Sequence, residues 1–153
     1  MNKGHPDFAG FYAIWQSLNK RPGATAEIRR VIKPDELLEI PAFYRLVEPF
    51  GWRIDLPPWE KRRWQRLVFL VNHIENKGEH SLGKALALSG NVNEKRLFQI
   101  VRANYPSDVI QLRRVLNQVE PSVSWQHMAN QVWFWNKSSK RSLMEDFVLN
   151  QHD

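Results

Sequence analysis

Prolines and glycines punctuate this chain so often that only short helices fit between them: nine Pro and seven Gly stand among 153 residues. Between these breaks, apolar residues recur at helical spacing. No stretch alternates apolar and polar side chains long enough to demand a sheet. A first helix is expected from near Pro6, with Phe11, Ala13, Ile14, Trp15 and Leu18 on its apolar stripe. Arg21-Pro22-Gly23 ends it by restricting φ and supplying a flexible turn. Thr25 is placed to cap a short helix through Val31. Pro34, Pro41 and Pro49 then limit residues 32 to 53 to brief helices and turns.

Pro57-Pro58 opens what the pattern makes the longest helix, running to about Asn76 with Trp64, Leu67, Val68 and Val71 on one face. Gly78 stops it. A two-turn helix from Ser81 to Leu88 ends at Gly90. Asn91 or Asn93 caps the next, to Ala103, with Leu97, Ile100 and Val101 inward. Pro106 or Ser107 starts a helix to about Val119, with Val109, Leu112, Leu116 and Val119 apolar. Another spans Ser124 to Trp135. Ser138 or Ser139 caps a last one bearing Leu143, Met144, Phe147 and Val148. With no repeat, low-complexity linker or internal boundary, the reading is all-α: a compact bundle of about eight or nine helices in one domain, residues 1 to 153.

Composition removes several classes of function. Hydrophobic residues make up 42% and charged residues 25%, a globular balance. There is no cysteine, hence no disulfide, thiolate metal site or thiol nucleophile. No apolar run approaches a membrane span, and the start of the chain lacks the apolar core of a signal peptide, so a cytoplasmic protein without a membrane is expected. The five histidines show no i, i+4 pairing and no carboxylate at ligand spacing, so neither a metal nor a cofactor is expected. No Gly-x-Ser-x-Gly elbow organises a triad. Gly78-Glu79-His80-Ser81-Leu82-Gly83-Lys84-Ala85 fits seven positions of a phosphate-binding loop. The eighth is Ala85, where a magnesium-ligating hydroxyl belongs, and the string follows a helix rather than a buried strand. A helix end, a turn and a helix start explain it, and the chain reads as a non-enzyme with no catalytic residue.

Charge points toward a partner. The net charge is +6, and from Lys84 to Arg141 nine cations face three anions. Such a field attracts polyanions, or simply keeps the surface soluble. On one helix Lys95, Gln99 and Arg102 share a face, flanked by Arg96. On the next, Gln111, Arg114 and Gln118 do so, beside Arg113 and Asn117. Guanidinium forks pair with phosphates, and amides donate to backbone oxygens, so together these faces favour polyanion binding over a merely solvated exterior. Lys61, Arg62, Arg63 and Arg66 form a second cluster where the helix dipole disfavours cations. It suits nucleic acid, an acidic partner, or no contact at all. Trp133, Phe134 and Trp135 point in different directions, which fits a core plus a subunit interface better than a stacking surface for bases.

Several strings resemble one family. They are Ile28-Arg29-Arg30-Val31, Pro34-Asp35-Glu36-Leu37, Ile40 through Val47 with Pro49-Phe50-Gly51-Trp52, and Ser81 through Ala87 with Ser89-Gly90. Asn93-Glu94-Lys95-Arg96 with Phe98-Gln99, Gln111-Leu112-Arg113-Arg114, and Glu145 through Leu149 complete the set. In this order they resemble the CasB family, the small subunit of Cascade, the type I-E CRISPR surveillance complex. The likeness covers nearly the whole chain and is least over residues 54 to 80. It implies an all-helical, non-enzymatic subunit for antiviral defence. In that family two copies lie beside the backbone subunits that carry crRNA, and they hold target-strand and displaced-strand DNA in the R-loop. The implied partners are the backbone and large subunits, crRNA, target DNA and a second copy of the chain. Carried over by motif, the expected nucleic-acid contacts are Arg30, Arg96, Arg102, Arg113 and Arg114, with Lys84 and Lys137 beside them. Arg29 and Arg45 are alternatively internal partners of Asp35, Glu36 or Glu48. The competing reading is a structural adaptor that bridges subunits without touching nucleic acid.

Overall fold

A computed structural model describes residues 4–151. Among them are nine α-helices: α1 (Phe8–Asn19), α2 (Ala26–Arg30), α3 (Pro41–Val47), α4 (Pro58–Val71), α5 (Leu82–Ser89), α6 (Glu94–Arg102), α7 (Ser107–Val119), α8 (Trp125–Trp133) and α9 (Lys137–Leu149). Two 3-10 segments, Pro34–Glu39 and Glu48–Phe50, lie where prolines limit helix length. The all-α expectation holds. No described helix is long and apolar enough to cross a membrane.

The core is organised around α4. Every residue from Trp64 to Val71 is buried, including Gln65 and Arg66, so this helix is enclosed on all sides rather than along one stripe. Its neighbours are α2, α7, α8 and the 3-10 segment Pro34–Glu39. Gln65 Nε2 donates to Asp35 Oδ1 at 2.8 Å across that packing. Arg66 is 9% exposed and reaches the end of α8, where Nε donates to Val132 O at 3.1 Å and Nη2 to Trp133 O at 3.0 Å. The last carbonyls of a helix have no donor of their own, and a cation there also favours the dipole. Burial pushes the guanidinium down to about 10, which leaves it charged at neutral pH. Trp64 and Trp133 meet edge to face at 4.9 Å beside this contact.

Three of the four cations in the Lys61–Arg66 cluster are thereby absorbed. Lys61 Nζ donates to Ile54 O at 2.8 Å, and Arg63 lies over Trp59 at 4.8 Å and Phe134 at 5.0 Å. Arg62 remains exposed.

Several expected boundaries move. α4 stops at Val71, not Asn76, because the chain turns and extends to pair with the segment before α8. Glu75 N donates to Pro121 O at 3.0 Å and Val123 N to Glu75 O at 2.9 Å. α8 ends at Trp133, two residues early. Asn136, not Ser138 or Ser139, caps α9 by accepting from Ser139 N. On α1 the buried face is Phe8, Phe11, Tyr12 and Trp15, while Ala13 is exposed and Ile14 is 46% exposed. The larger aromatic stripe takes the interior and rotates the smaller apolar residues outward.

The phosphate-loop lookalike is a helix contact. Ser81 Oγ caps α5 by accepting from Lys84 N. Gly83 lies inside α5 against α9, where a Cβ would fall 2.5 Å from Leu143 O and 2.7 Å from Asp146 Cβ. Glycine is needed here for close approach rather than for phosphate.

Arg66→Met should lower unfolding free energy by about 2–4 kcal/mol in urea titration, by leaving two helix-end carbonyls without donors. Arg62→Met should stay within about 0.5 kcal/mol. Gly83→Ala should cost about 1–3 kcal/mol, since two packed helices must separate to admit the methyl group.

Candidate nucleic-acid interface

The two helices with the expected basic faces form adjacent walls of an open groove. α6 buries Leu97 and Ile100, and α7 buries Val109, Leu112, Val115 and Leu116. Burying those faces leaves the opposite polar faces toward solvent. Between them runs a groove of about 660 Å³ lined by Asn93, Lys95, Arg96, Gln99, Ser107, Gln111 and Arg114, with Pro106 and Ile110. Arg96 Nη1 donates to Gln118 Oε1 at 2.8 Å, tying the two walls together. Asn93 caps α6 by accepting from Arg96 N at 2.8 Å.

Arg114 and Ile110 also line a second cleft, of about 310 Å³, on the other side of α7. Arg29 and Arg30 of α2, His73, Arg113 and Asn117 complete its polar lining. Arg30 and Arg113 thus face one cleft, Arg96 faces the other, and Arg114 on α7 borders both. Neither cleft is lined by a carboxylate.

Arg113 holds the wall together. One Nη donates to Val31 O, the other to Arg29 O at 2.8 Å, and the guanidinium lies 4.1 Å over the Phe69 ring. Burial lowers its pKa from the ordinary arginine value, opposed by nearby Glu36. Its planar fork is satisfied by the chain, whereas Arg114 and Arg30 are exposed. Arg30 Nε donates to Ala26 O at 3.2 Å within its own helix.

Arg102 and Lys137 belong to a separate cleft of about 340 Å³ between the end of α6 and the start of α9, with Lys140 and Arg141. A buried acid anchors this corner. Asp108, 1% exposed in the first turn of α7, pairs with Lys140 Nζ at 2.8 Å. It also accepts from Trp135 Nε1 and Val109 N, each at 2.8 Å. Lys140 Nζ further donates to Ala103 O at 2.9 Å. Arg102 lies 5.4 Å from the exposed Phe98 ring. Lys84 is half-buried on α5 and lines none of these clefts.

Arg29, Lys95, Lys140 and Arg141 also line these clefts and were not among the contacts expected from the motifs. Their clefts form only where two helices meet, although Lys95 was legible on the polar face of α6. Arg29 and Arg45 do not pair with acids: among the described residues the ion pairs are Arg53–Asp55, Lys77–Glu75 and Lys140–Asp108. Arg29 Nε instead donates to Thr25 Oγ1 at 3.1 Å. Trp133 is buried, and Phe134 and Trp135 are half-buried, so none of this trio is a fully open stacking surface. No group of three or more metal-ligating side chains occurs among the described residues; His152 lies outside them.

These features define a helical protein with cationic clefts, free of lining carboxylates, on both sides of α7 and between α6 and α9. Comparison with known proteins then gives its lineage. Residues 24–148 match the family model of CRISPR-associated protein Cse2. The Escherichia coli K12 protein named CRISPR system Cascade subunit CasB is 44% identical over 154 residues, covering 94% of this chain and 93% of its own. A chain in the crystal structure of E. coli Cascade bound to a PAM-containing double-stranded DNA target superposes with a TM-score of 0.87 at 44% identity, covering 95% of this chain and 97% of that one. CasB from Thermus thermophilus shares the fold at 17% identity, with a TM-score of 0.65 and coverage of 93% and 97%. The chain belongs to the Cse2 family, to which CasB subunits of Cascade belong.

His73 is half-buried, and its pKa is lowered to about 4 by burial first, then by Arg113 and Arg29. Its folded value lies below the unfolded value of 6.5. The unfolded chain therefore takes up a proton that the folded chain refuses. His73's contribution to stability is complete above pH about 6.5 and is lost as pH falls to about 4. Denaturant titration between pH 7 and 4 should show this loss, and His73→Gln should flatten it.

Proposed function

We propose that this chain is the small subunit of a type I-E Cascade complex and stabilises the crRNA-guided R-loop by sequence-independent contacts to DNA strands. The observation that carries this reading is the pair of clefts flanking α7, where Arg30, Arg96 and Arg114 stand on three helices with no lining carboxylate. The relative in the DNA-bound Cascade structure supports the assignment to a complex with other subunits, crRNA and target DNA.

The chemistry suits the task. In guided recognition, base pairing between RNA and DNA supplies sequence, and exchanging one duplex for another is nearly balanced in energy. A few phosphate contacts to a displaced strand are enough to tip that balance. They must be indifferent to sequence, as exposed guanidiniums and side-chain amides on helix faces are. Arg102 and Lys137 provide a second cationic surface for the same backbone. Arg113 supports the groove from behind, and Lys84 stands apart from it. No step of this role calls for catalysis.

An adaptor role is favoured by a different surface. Ile54 is 92% exposed and Trp59 52% exposed, at one end of α4. Exposed aromatics and aliphatics of this kind suit contacts with other subunits. The groove and this patch can serve the same subunit.

Fluorescence anisotropy with labelled single-stranded DNA, duplex DNA and RNA across a salt series tests the phosphate reading. Binding should fall steeply with salt and vary little with sequence. Arg30→Ala, Arg96→Ala and Arg114→Ala should each weaken it and lower the logarithmic salt slope by about 1. In reconstituted Cascade, an Arg96, Arg102 and Arg114 triple alanine variant should shorten R-loop lifetime. An unchanged lifetime would sink the assignment.

A further inference from the structure

The cleft between α2 and α7 contains a titratable group that phosphate recognition by arginine does not require. His73 lies just beyond the end of α4, half-buried, and forms part of the lining. Arg29 and Arg30 face this cleft from α2, and Arg113 and Arg114 face it from α7. The adjoining wall of α4 contributes Phe69, which is uncharged. Glu36 of the 3-10 segment acts on Arg113, and its Oε2 accepts from Ile32 N at 3.3 Å.

Two of these cations are fixed in place, Arg113 by two backbone carbonyls and Arg29 by Thr25. The cleft therefore keeps its positive field whether or not anything occupies it. Burial first, and that field second, favour a neutral imidazole and lower His73 to about 4. An anion entering the cleft offsets the part of this lowering that the arginines supply. It brings opposite charge close to the ring and favours the imidazolium. At the same time, Asn117 and the exposed Arg30 and Arg114 offer donors to its oxygens.

We infer that this cleft is a phosphate subsite whose occupation protonates His73, so that strand binding takes up a proton from solvent. The inference rests on the nucleic-acid reading above and deepens it, by assigning one place where a backbone phosphate lies and a pH dependence that follows. A phosphodiester keeps a single negative charge throughout the neutral range, and thymine does not titrate there. A proton taken up on binding oligothymidylate must then reside on the protein. Affinity should rise as pH falls, by at most tenfold per pH unit for one linked proton.

The test uses the full chain with oligothymidylate at low salt. Histidine-labelled NMR at pH 6 should show His73 neutral in the free protein and protonated in the complex. Anisotropy should show affinity rising between pH 7.5 and 5.5 by about threefold to tenfold more in the unmodified chain than in His73→Gln. The NMR arm needs no substitution, so a poorly folded variant leaves the test intact. Binding with His73 still neutral overturns this inference alone, as do superimposable pH profiles. Absence of binding at every pH overturns it together with the reading that this chain grips DNA by itself.

Discussion

Arg66 lies inside the protein because two carbonyls at the end of α8 need donors that no backbone N–H supplies. An isolated charge in this position would be costly, and its fork is matched instead by a helix terminus that presents partial negative charge. The contact also determines where α4 and α8 meet. Trp64 packs against Trp133 beside it, and Phe8 of α1 packs against the same Trp133 at 5.8 Å. Trp125 Nε1 then donates to Phe8 O at 2.8 Å, which holds α1 to α8. The buried stretch from Trp64 to Val71 thus has a polar register mark that apolar packing by itself would lack.

A second buried charge positions the candidate nucleic-acid surface. Asp108 holds the start of α7 against Lys140 of α9 and Trp135 of the preceding turn. With that end anchored, the polar face of α7 stands between α2 and α6. Arg113 braces the α2 side through backbone carbonyls, and Arg96 braces the α6 side through Gln118. The groove is therefore preorganised, which would limit the ordering cost of the strand binding proposed above.

Much of the fold was legible because helix punctuation is local. Asn93, Ser81, Gly90 and Pro58 act where the pattern places them, since caps and breakers work through the backbone of their own turn. The errors share a different cause. α4 stops five residues short of the expected end because residues 75 and 121 to 123 pair across a long sequence separation. Ile14 faces outward because Phe8 and Tyr12, which the expected stripe left out, complete a larger aromatic one. The site divides in the same way. The faces of α6 and α7 follow from helical periodicity, but Arg113 and Arg114 are neighbours in sequence with opposite fates. One is turned toward Phe69 and two carbonyls, and the other toward open solvent.

What the sequence determined by itself is the class of the molecule: a short-helix bundle whose excess positive charge sits mainly in its C-terminal half. Its motif order also carried the family likeness. Those properties depend on composition and on spacings within one helix turn or one loop. Tertiary structure decided which cations are structural and which are free. Arg66 and Arg63 look like surface charges in sequence, yet they are held by a helix terminus and by aromatic rings. The reason is physical: a guanidinium's role depends on the acceptors and rings within a few ångströms of it, and for Arg66 those come from residues nearly seventy positions away.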